Sequence, residues 1–127
     1  MSLRKKFTGT GIAIVTPFHA DGKIDWESFT NLIEFWIKGK VEYLVAIGTT
    51  GESATIHGAE KQEVFSFVQN VVAGRVPLVA GIGGGDTNEV LGWFKQFDLT
   101  GYDAILSVSP AYNKPNQEGI SAFKIDF

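Results

Sequence analysis

The sequence predicts an α/β fold built on a parallel sheet, and three observations carry that prediction. Four short apolar runs, "GIAIV" (11–15), "YLVAI" (43–47), "PLVAG" (77–81) and "AILSV" (104–108), recur at about 30-residue intervals, the length of one βα step. The segments between them have helical rather than alternating periodicity. The runs themselves are apolar throughout, as strands are when both faces of a sheet are covered.

Each element has a local reason. The first run ends at Thr16-Pro17, and a turn follows at Asp21-Gly22. Asp25 can cap a helix that puts Trp26, Phe29, Ile33 and Trp36 on one face. That helix should stop near Lys38-Gly39, where glycine suits a left-handed residue past a helix end. After the second strand a helix is predicted over 59–72, with Val64, Phe65, Val68 and Val71 inward. After the third, Asp86-Thr87-Asn88-Glu89 has capping-box character and opens a helix with Val90, Phe94 and Phe97. A fourth helix is expected over 117–127, after the fourth strand.

Two architectures fit this count: a small open doubly wound sheet, or the first half of a (β/α)₈ barrel, which in full needs about 250 residues. The pattern alone does not choose between them. No linker divides the 127 residues, so one domain is expected.

Composition narrows the function classes. There are no cysteines, which removes disulfides, thiolate metal sites and a cysteine nucleophile, and fits a reducing compartment. The net charge is −3, and Arg4-Lys5-Lys6 is the one basic cluster, which disfavours nucleic acid as a partner. No apolar run reaches the about 18–20 residues of a membrane span. No His/Asp/Glu grouping has metal-ligand spacing, so no metal is expected.

In either architecture, function collects at the C-terminal ends of the strands. Those ends read Thr16-Pro17, then "GTTGES" (48–53), then "GIGGGD" (81–86), then "SVSPAYN" (107–113). Hydroxyls and backbone donors dominate. Such a rim can bind a carboxylate, and a Thr–Tyr pair can relay protons. "GIGGGD" follows a strand and precedes a helix as a dinucleotide fingerprint does. Its last position is Asp86, though, whose carboxylate would face a pyrophosphate, and a tight turn ending in a helix cap is the simpler reading. His57 reads as a helix-start residue, His19 as a surface loop residue, and Glu52 as a carboxylate that fixes its loop by accepting from backbone donors. Tyr112, just past the fourth strand, is placed to share a rim with Thr49.

The stretches "GTGIAIVTPF", "GTTGESATI", "PLVAGIGG" and "VSPAYNKPNQEG", in that order and spacing over residues 7–119, resemble the N-terminal half of the dihydrodipicolinate synthase family. These are pyruvate-dependent, Schiff-base-forming (β/α)₈ barrels, a group that also contains N-acetylneuraminate lyase. The resemblance implies the N-terminal half of a TIM barrel, about four βα units. It implies condensation of pyruvate with aspartate semialdehyde through a lysine Schiff base, toward lysine, in the cytoplasm, with no cofactor. It further implies that Thr49 and Tyr112 belong to a proton relay and that Thr50 helps hold the pyruvate carboxylate. The tyrosine matching Tyr112 reaches a neighbouring subunit in the family, so a homo-oligomer is expected.

The chain also departs from the family. The Schiff-base lysine, a second relay tyrosine and the arginine that helps bind the aldehyde substrate belong to later strands, so the sequence is expected to be a single partial barrel truncated before them. A substitute lysine would need its pKa lowered by a desolvated pocket. Lys5, Lys6, Lys23, Lys38, Lys40, Lys61, Lys95, Lys114 and Lys124 all fall in loops, at helix ends or on polar helix faces. None is expected to serve, and the chain alone is expected to be inactive. The tail "ISAFKIDF" reads as a helix about one residue out of the family's phase. Other readings of the same residues are another pyruvate-dependent aldolase, a non-catalytic half-barrel that self-associates, and a small nucleotide-binding α/β protein.

Overall fold

The computed structural model describes residues 2–125, with side chains as far as residue 122. In chain order it contains α1 (Leu3–Lys6), β1 (Gly11–Ala13), α2 (Trp26–Lys38), β2 (Tyr43–Ala46), α3 (Gly58–Val72), β3 (Leu78–Gly81), α4 (Thr87–Gln96), β4 (Ala104–Leu106) and α5 (Gln117–Ile125). The helix expected over 117–127 is α5, and positions 126 and 127 lie outside the described residues. The sequence reading lacks α1, because four residues carry no periodicity to detect.

The strands form one sheet in the order β1-β2-β3-β4, every pair parallel. A doubly wound sheet reverses its strand order at a switch point, and this sheet has no reversal. Each strand adds to the same edge, as in a barrel. The open-sheet alternative is thereby set aside in favour of the half-barrel.

The strands are shorter than the apolar runs. β1, β2 and β4 give up their last one or two residues to the following loop, and β3 begins after Pro77, which has no N–H for the ladder. The Pro77 carbonyl still accepts from the Leu44 N–H at 3.1 Å.

Alternation divides the sheet into two faces. Leu44, Ala46, Leu78 and Ala80 join a core with Phe29 and Ile33 of α2, Val64, Phe65, Val68 and Val72 of α3, and Val90 of α4. Val45 and Val79 point to the opposite face, which lines the interior of a closed barrel. Burial of Phe29 and Phe65 is complete, a gain of about 1.5–3 kcal/mol for each ring. Trp26, Phe29 and Phe67 stack between α2 and α3 with centroids 4.7–6.5 Å apart.

The caps explain where helices start. Asp25 accepts from the Ser28 N–H at 2.9 Å and from its hydroxyl at 2.6 Å. Asp86 accepts from the N–H groups of Asn88 and Glu89 at 2.8 and 3.3 Å. Two expectations need correction. Gly39 has φ −70°, and Lys40, at φ 60°, is the left-handed residue after α2. On α3 it is Val72 that is fully buried, one turn beyond Val68, while Val71 is half-buried.

The outer strands are open to solvent. Gly11 and Ala13 of β1 and Ile105 and Leu106 of β4 are exposed, whereas the centres of β2 and β3 are buried. Beneath the sheet the N-terminal segment crosses from the first strand to the last. Lys6 pairs there with Asp103, and Phe7 packs edge-on to Tyr43 at 5.2 Å.

Candidate active site

At the end of β2 the backbone does something its sequence disfavours. Ile47 adopts φ 57°, a left-handed conformation that costs a residue with a Cβ about 1–2 kcal/mol. Its side chain is 2% exposed, so burial holds it there. Strain of this kind collects where a loop must be aimed. The turn lifts Gly48-Thr49-Thr50 out of the sheet and leaves both threonines exposed on the C-terminal rim.

The loop is then fixed by hydrogen bonds. The Glu52 N–H donates to the Thr49 carbonyl at 3.0 Å, and the Thr55 N–H and hydroxyl donate to the Glu52 carbonyl at 3.0 and 3.1 Å. Glu52 thus braces the loop through its backbone, at φ 59°, with its carboxylate in solvent. That differs from the expected role for its side chain. From the neighbouring strand end, the buried Thr16 hydroxyl donates to the Gly51 carbonyl at 2.8 Å. Close approach demands glycine twice: a Cβ on Gly51 would lie 3.1 Å from the Ile14 carbonyl oxygen, and one on Gly81 would lie 2.4 Å from that of Ile47.

Of the residues singled out from sequence, Thr49 and Thr50 are adjacent at the rim. Tyr112 stands in the loop after β4 with 97% of its surface exposed. Among the described residues it makes no hydrogen bond to either threonine. His57 precedes α3 and its N–H donates to the Glu60 carboxylate at 3.4 Å, while His19 lies on the surface 3.6 Å from Asp25. Asp86 is a helix cap, as the simpler reading of "GIGGGD" requires. The sequence places Thr16 at a strand end but does not reveal its bracing role: it is 4% exposed, a buried polar side chain among the described residues. A hydroxyl at the end of an apolar run must find a partner, which is the signal that could have marked it. Among the described residues no group of three or more His, Cys, Asp or Glu could hold a metal ion.

Residues 6–124 match the dihydrodipicolinate synthetase family. The chain belongs to that family. It is 46% identical over 117 residues to the 4-hydroxy-tetrahydrodipicolinate synthase of Porphyromonas gingivalis, covering 92% of this chain and 39% of that protein. It is 50% identical over 114 residues to the synthase of Cytophaga hutchinsonii, covering 90% of this chain and 38% of that protein. A crystal structure of the chloride-inhibited dihydrodipicolinate synthase from Acinetobacter baumannii complexed with pyruvate superposes with a TM-score of 0.86 at 40% identity. The match covers 91% of this chain and 40% of that one. The chain therefore spans about two fifths of the length of the relatives it matches.

A further feature near the rim lies outside the sheet. Ser53, Ala54, His57, Lys61, Gly83, Glu89 and Trp93 are among the residues lining a cleft of about 430 Å³ between α3 and α4. The Lys61 ammonium sits 4.4 Å from the Trp93 ring centroid. Desolvation lowers its pKa, while the nearby Glu89 carboxylate acts in the opposite sense. Lys61 stands in the first turn of α3, a helix end as expected, and the packing of Trp93 of α4 against it leaves it half-buried.

Proposed function

We propose that the chain is the N-terminal, substrate-gripping half of a synthase that condenses pyruvate with aspartate semialdehyde through a lysine Schiff base, as one partial barrel domain of residues 1–127. In this reading Thr50 and the backbone donors around it hold the pyruvate carboxylate. Thr49 and Tyr112 pass protons during imine formation and carbon–carbon bond formation. The lysine that attacks the keto carbon comes from a later strand of the parent barrel. No residue described here replaces it, and the chain by itself is inactive. The parent enzyme is a cytoplasmic homo-oligomer.

The observation that carries this reading is the turn at Ile47. A strained, buried residue aims two hydroxyls at the rim of a sheet whose strand order is that of a barrel. Tyr112 supports the oligomer: an aromatic ring left in water forgoes about 1.5–3 kcal/mol that a neighbouring subunit could recover. Among the described residues no helix is long and apolar enough to cross a membrane.

The test is a hybrid enzyme in which residues 6–124 replace the matching segment of the Porphyromonas gingivalis synthase. The hybrid should condense the two substrates. Thr49→Val should lower kcat by about 10²–10⁴-fold with little change in the KM for pyruvate. Thr50→Ala should raise that KM. A folded hybrid that traps pyruvate with borohydride yet is indifferent to Thr49→Val would remove Thr49 from the relay. A hybrid active only with other aldehydes would favour an aldolase of N-acetylneuraminate lyase type.

A further inference from the structure

We propose that Thr16 is a positioning residue for Thr49: its buried hydroxyl grips the Gly51–Glu52 peptide plane, and that plane holds the Thr49 backbone at the rim. This role rests on the proton-relay reading of Thr49 and adds the group that keeps the relay hydroxyl in place.

The sequence creates the need for such a grip. Gly48 and Gly51 bracket the two threonines, and glycine leaves a backbone freer than any other residue. Thr49 and Thr50 are exposed, so burial of their side chains does little to remove that freedom. A hydroxyl that passes protons must nonetheless stay within about 2.6–3.2 Å of its partner. Backbone ties have to supply the order.

Those ties converge on one peptide unit. The Gly51 carbonyl and the Glu52 N–H share a plane, and in a trans unit they point in opposite directions. On one side the carbonyl accepts from the Thr16 hydroxyl at 2.8 Å. On the other the N–H donates to the Thr49 carbonyl at 3.0 Å. Turning the plane disturbs both bonds together, so the Thr16 hydroxyl acts on Thr49 across a rigid lever.

The two ends of the lever differ in origin. The Glu52–Thr49 bond lies within the loop and travels with it, as does the Ser53 N–H to the Gly48 carbonyl at 3.4 Å. Thr16 instead belongs to the segment after β1, which is anchored on both sides. The Ile14 N–H donates to the Val45 carbonyl at 3.0 Å, and the Pro17 carbonyl accepts from the Asp25 N–H at 2.9 Å. Gly51 rests against this segment so closely that an added Cβ would lie 3.1 Å from the Ile14 carbonyl oxygen. Thr16 and Gly51 are both buried, so water competes poorly for their bond. The lever ends at Thr49, so its loss should be felt in the proton-transfer step.

The hybrid synthase carrying residues 6–124 tests the consequence for chemistry. Thr16→Val should lower kcat by about 10–10²-fold while the KM for pyruvate changes little. Thr16→Ser keeps the hydroxyl and should return kcat to the parent's level. Added to Thr49→Val, Thr16→Val should cost nothing more, because the hydroxyl it positions is already gone. If Thr49→Val lowers kcat and Thr16→Val does not, the positioning role falls and the relay reading stands. If Thr49→Val is silent, the relay reading falls and takes this role with it. A raised KM at unchanged kcat, or a full cost in the Thr49→Val background, would place the action of Thr16 elsewhere.

A second measurement needs no catalysis. In the 127-residue chain, Thr16→Val should strip the Glu52 amide of its protection from hydrogen exchange, and Thr16→Ser should restore it. The Leu44 amide, bonded to the Pro77 carbonyl, should remain protected in both variants. Protection at Glu52 that survives Thr16→Val would overturn the proposal. Loss at Leu44 as well would overturn it too, because the hydroxyl would then hold the whole fold rather than the loop.

Discussion

The Thr16 hydroxyl donates to the Gly51 carbonyl at 2.8 Å across 35 residues of sequence, and Thr16 is only 4% exposed. This bond ties the end of β1 to the loop that holds Thr49 and Thr50. Without it the Gly51 carbonyl loses its hydroxyl partner in a place water reaches poorly, a loss of about 1–3 kcal/mol. Thr16→Val should therefore lower the unfolding free energy by that amount, read as a lower urea midpoint at constant m-value, and Thr16→Ser should restore most of it. A valine variant as stable as the parent, beside a destabilised serine variant, would show that the methyl packing, rather than the hydrogen bond, matters.

Gly81 faces the same turn from β3. An added Cβ would sit 2.4 Å from the Ile47 carbonyl oxygen and 2.8 Å from the Gly48 nitrogen, both backbone atoms that cannot rotate away. Gly81→Ala must push β3 from β2 or relax the left-handed Ile47. It should destabilise the chain by about 1–3 kcal/mol. Gly22→Ala is the control: its site is open, so only the cost of its positive φ applies. Thermal melts of the two variants compare these directly, and a Gly81→Ala variant as stable as the parent would show that the turn is pliable.

The βα alternation was legible because it rests on local chemistry. Asp25 and Asp86 cap the helices that follow them with their own carboxylates, and Phe29 and Ile33 repeat at helical spacing. What escaped the sequence depends on distant partners. Ile47 is β-branched and reads as strand, yet its left-handed turn is enforced by packing against neighbouring strands. Thr16 reads as a rim hydroxyl until Gly51 is seen above it. Lys61 reads as one more lysine near a helix end until α4 brings Trp93 over it. The rim as a whole was readable from strand ends. The particular roles given to Thr49, Thr50 and Tyr112 came from resemblance, because exposed hydroxyls carry no local mark of their chemistry.

Acid should weaken the fold through carboxylates already engaged. Hydrogen bonds from the Ser28 hydroxyl and N–H hold Asp25 below its ordinary pKa of 3.8. The Arg75 fork does the same for Glu34, and the Thr100 hydroxyl does so for Asp98. A carboxyl whose folded pKa is depressed stabilises the native state above its unfolded value and ceases to do so as pH falls through the lower folded value. The melting temperature should thus decline as pH drops from about 5 to about 2. Asp25→Asn keeps a cap acceptor but removes one titrating group, so its acid limb should be shallower than the parent's. An identical acid limb would assign the pH dependence to other carboxylates.

Lys61 offers the sharpest check on where the nucleophile resides. It is a described lysine whose pKa is depressed by burial, which is the first requirement for imine formation. The second requirement is a place for the keto acid's carboxylate, and here the surroundings oppose it. Glu89 lies close enough to favour the charged ammonium and would repel an incoming carboxylate. The ammonium is also held 4.4 Å above the Trp93 ring, an attraction of about 0.5–2 kcal/mol that a neutral amine forfeits. Incubation of the 127-residue chain with pyruvate and borohydride should therefore leave its mass at 13.8 kDa. Glu89→Gln removes the repulsion, yet no adduct is expected there either, because Thr49 and Thr50 belong to the β2–α3 loop and do not line this cleft. A reduced pyruvate mapped to Lys61 in either protein would make this chain its own nucleophile and displace the later-strand lysine from the proposed mechanism.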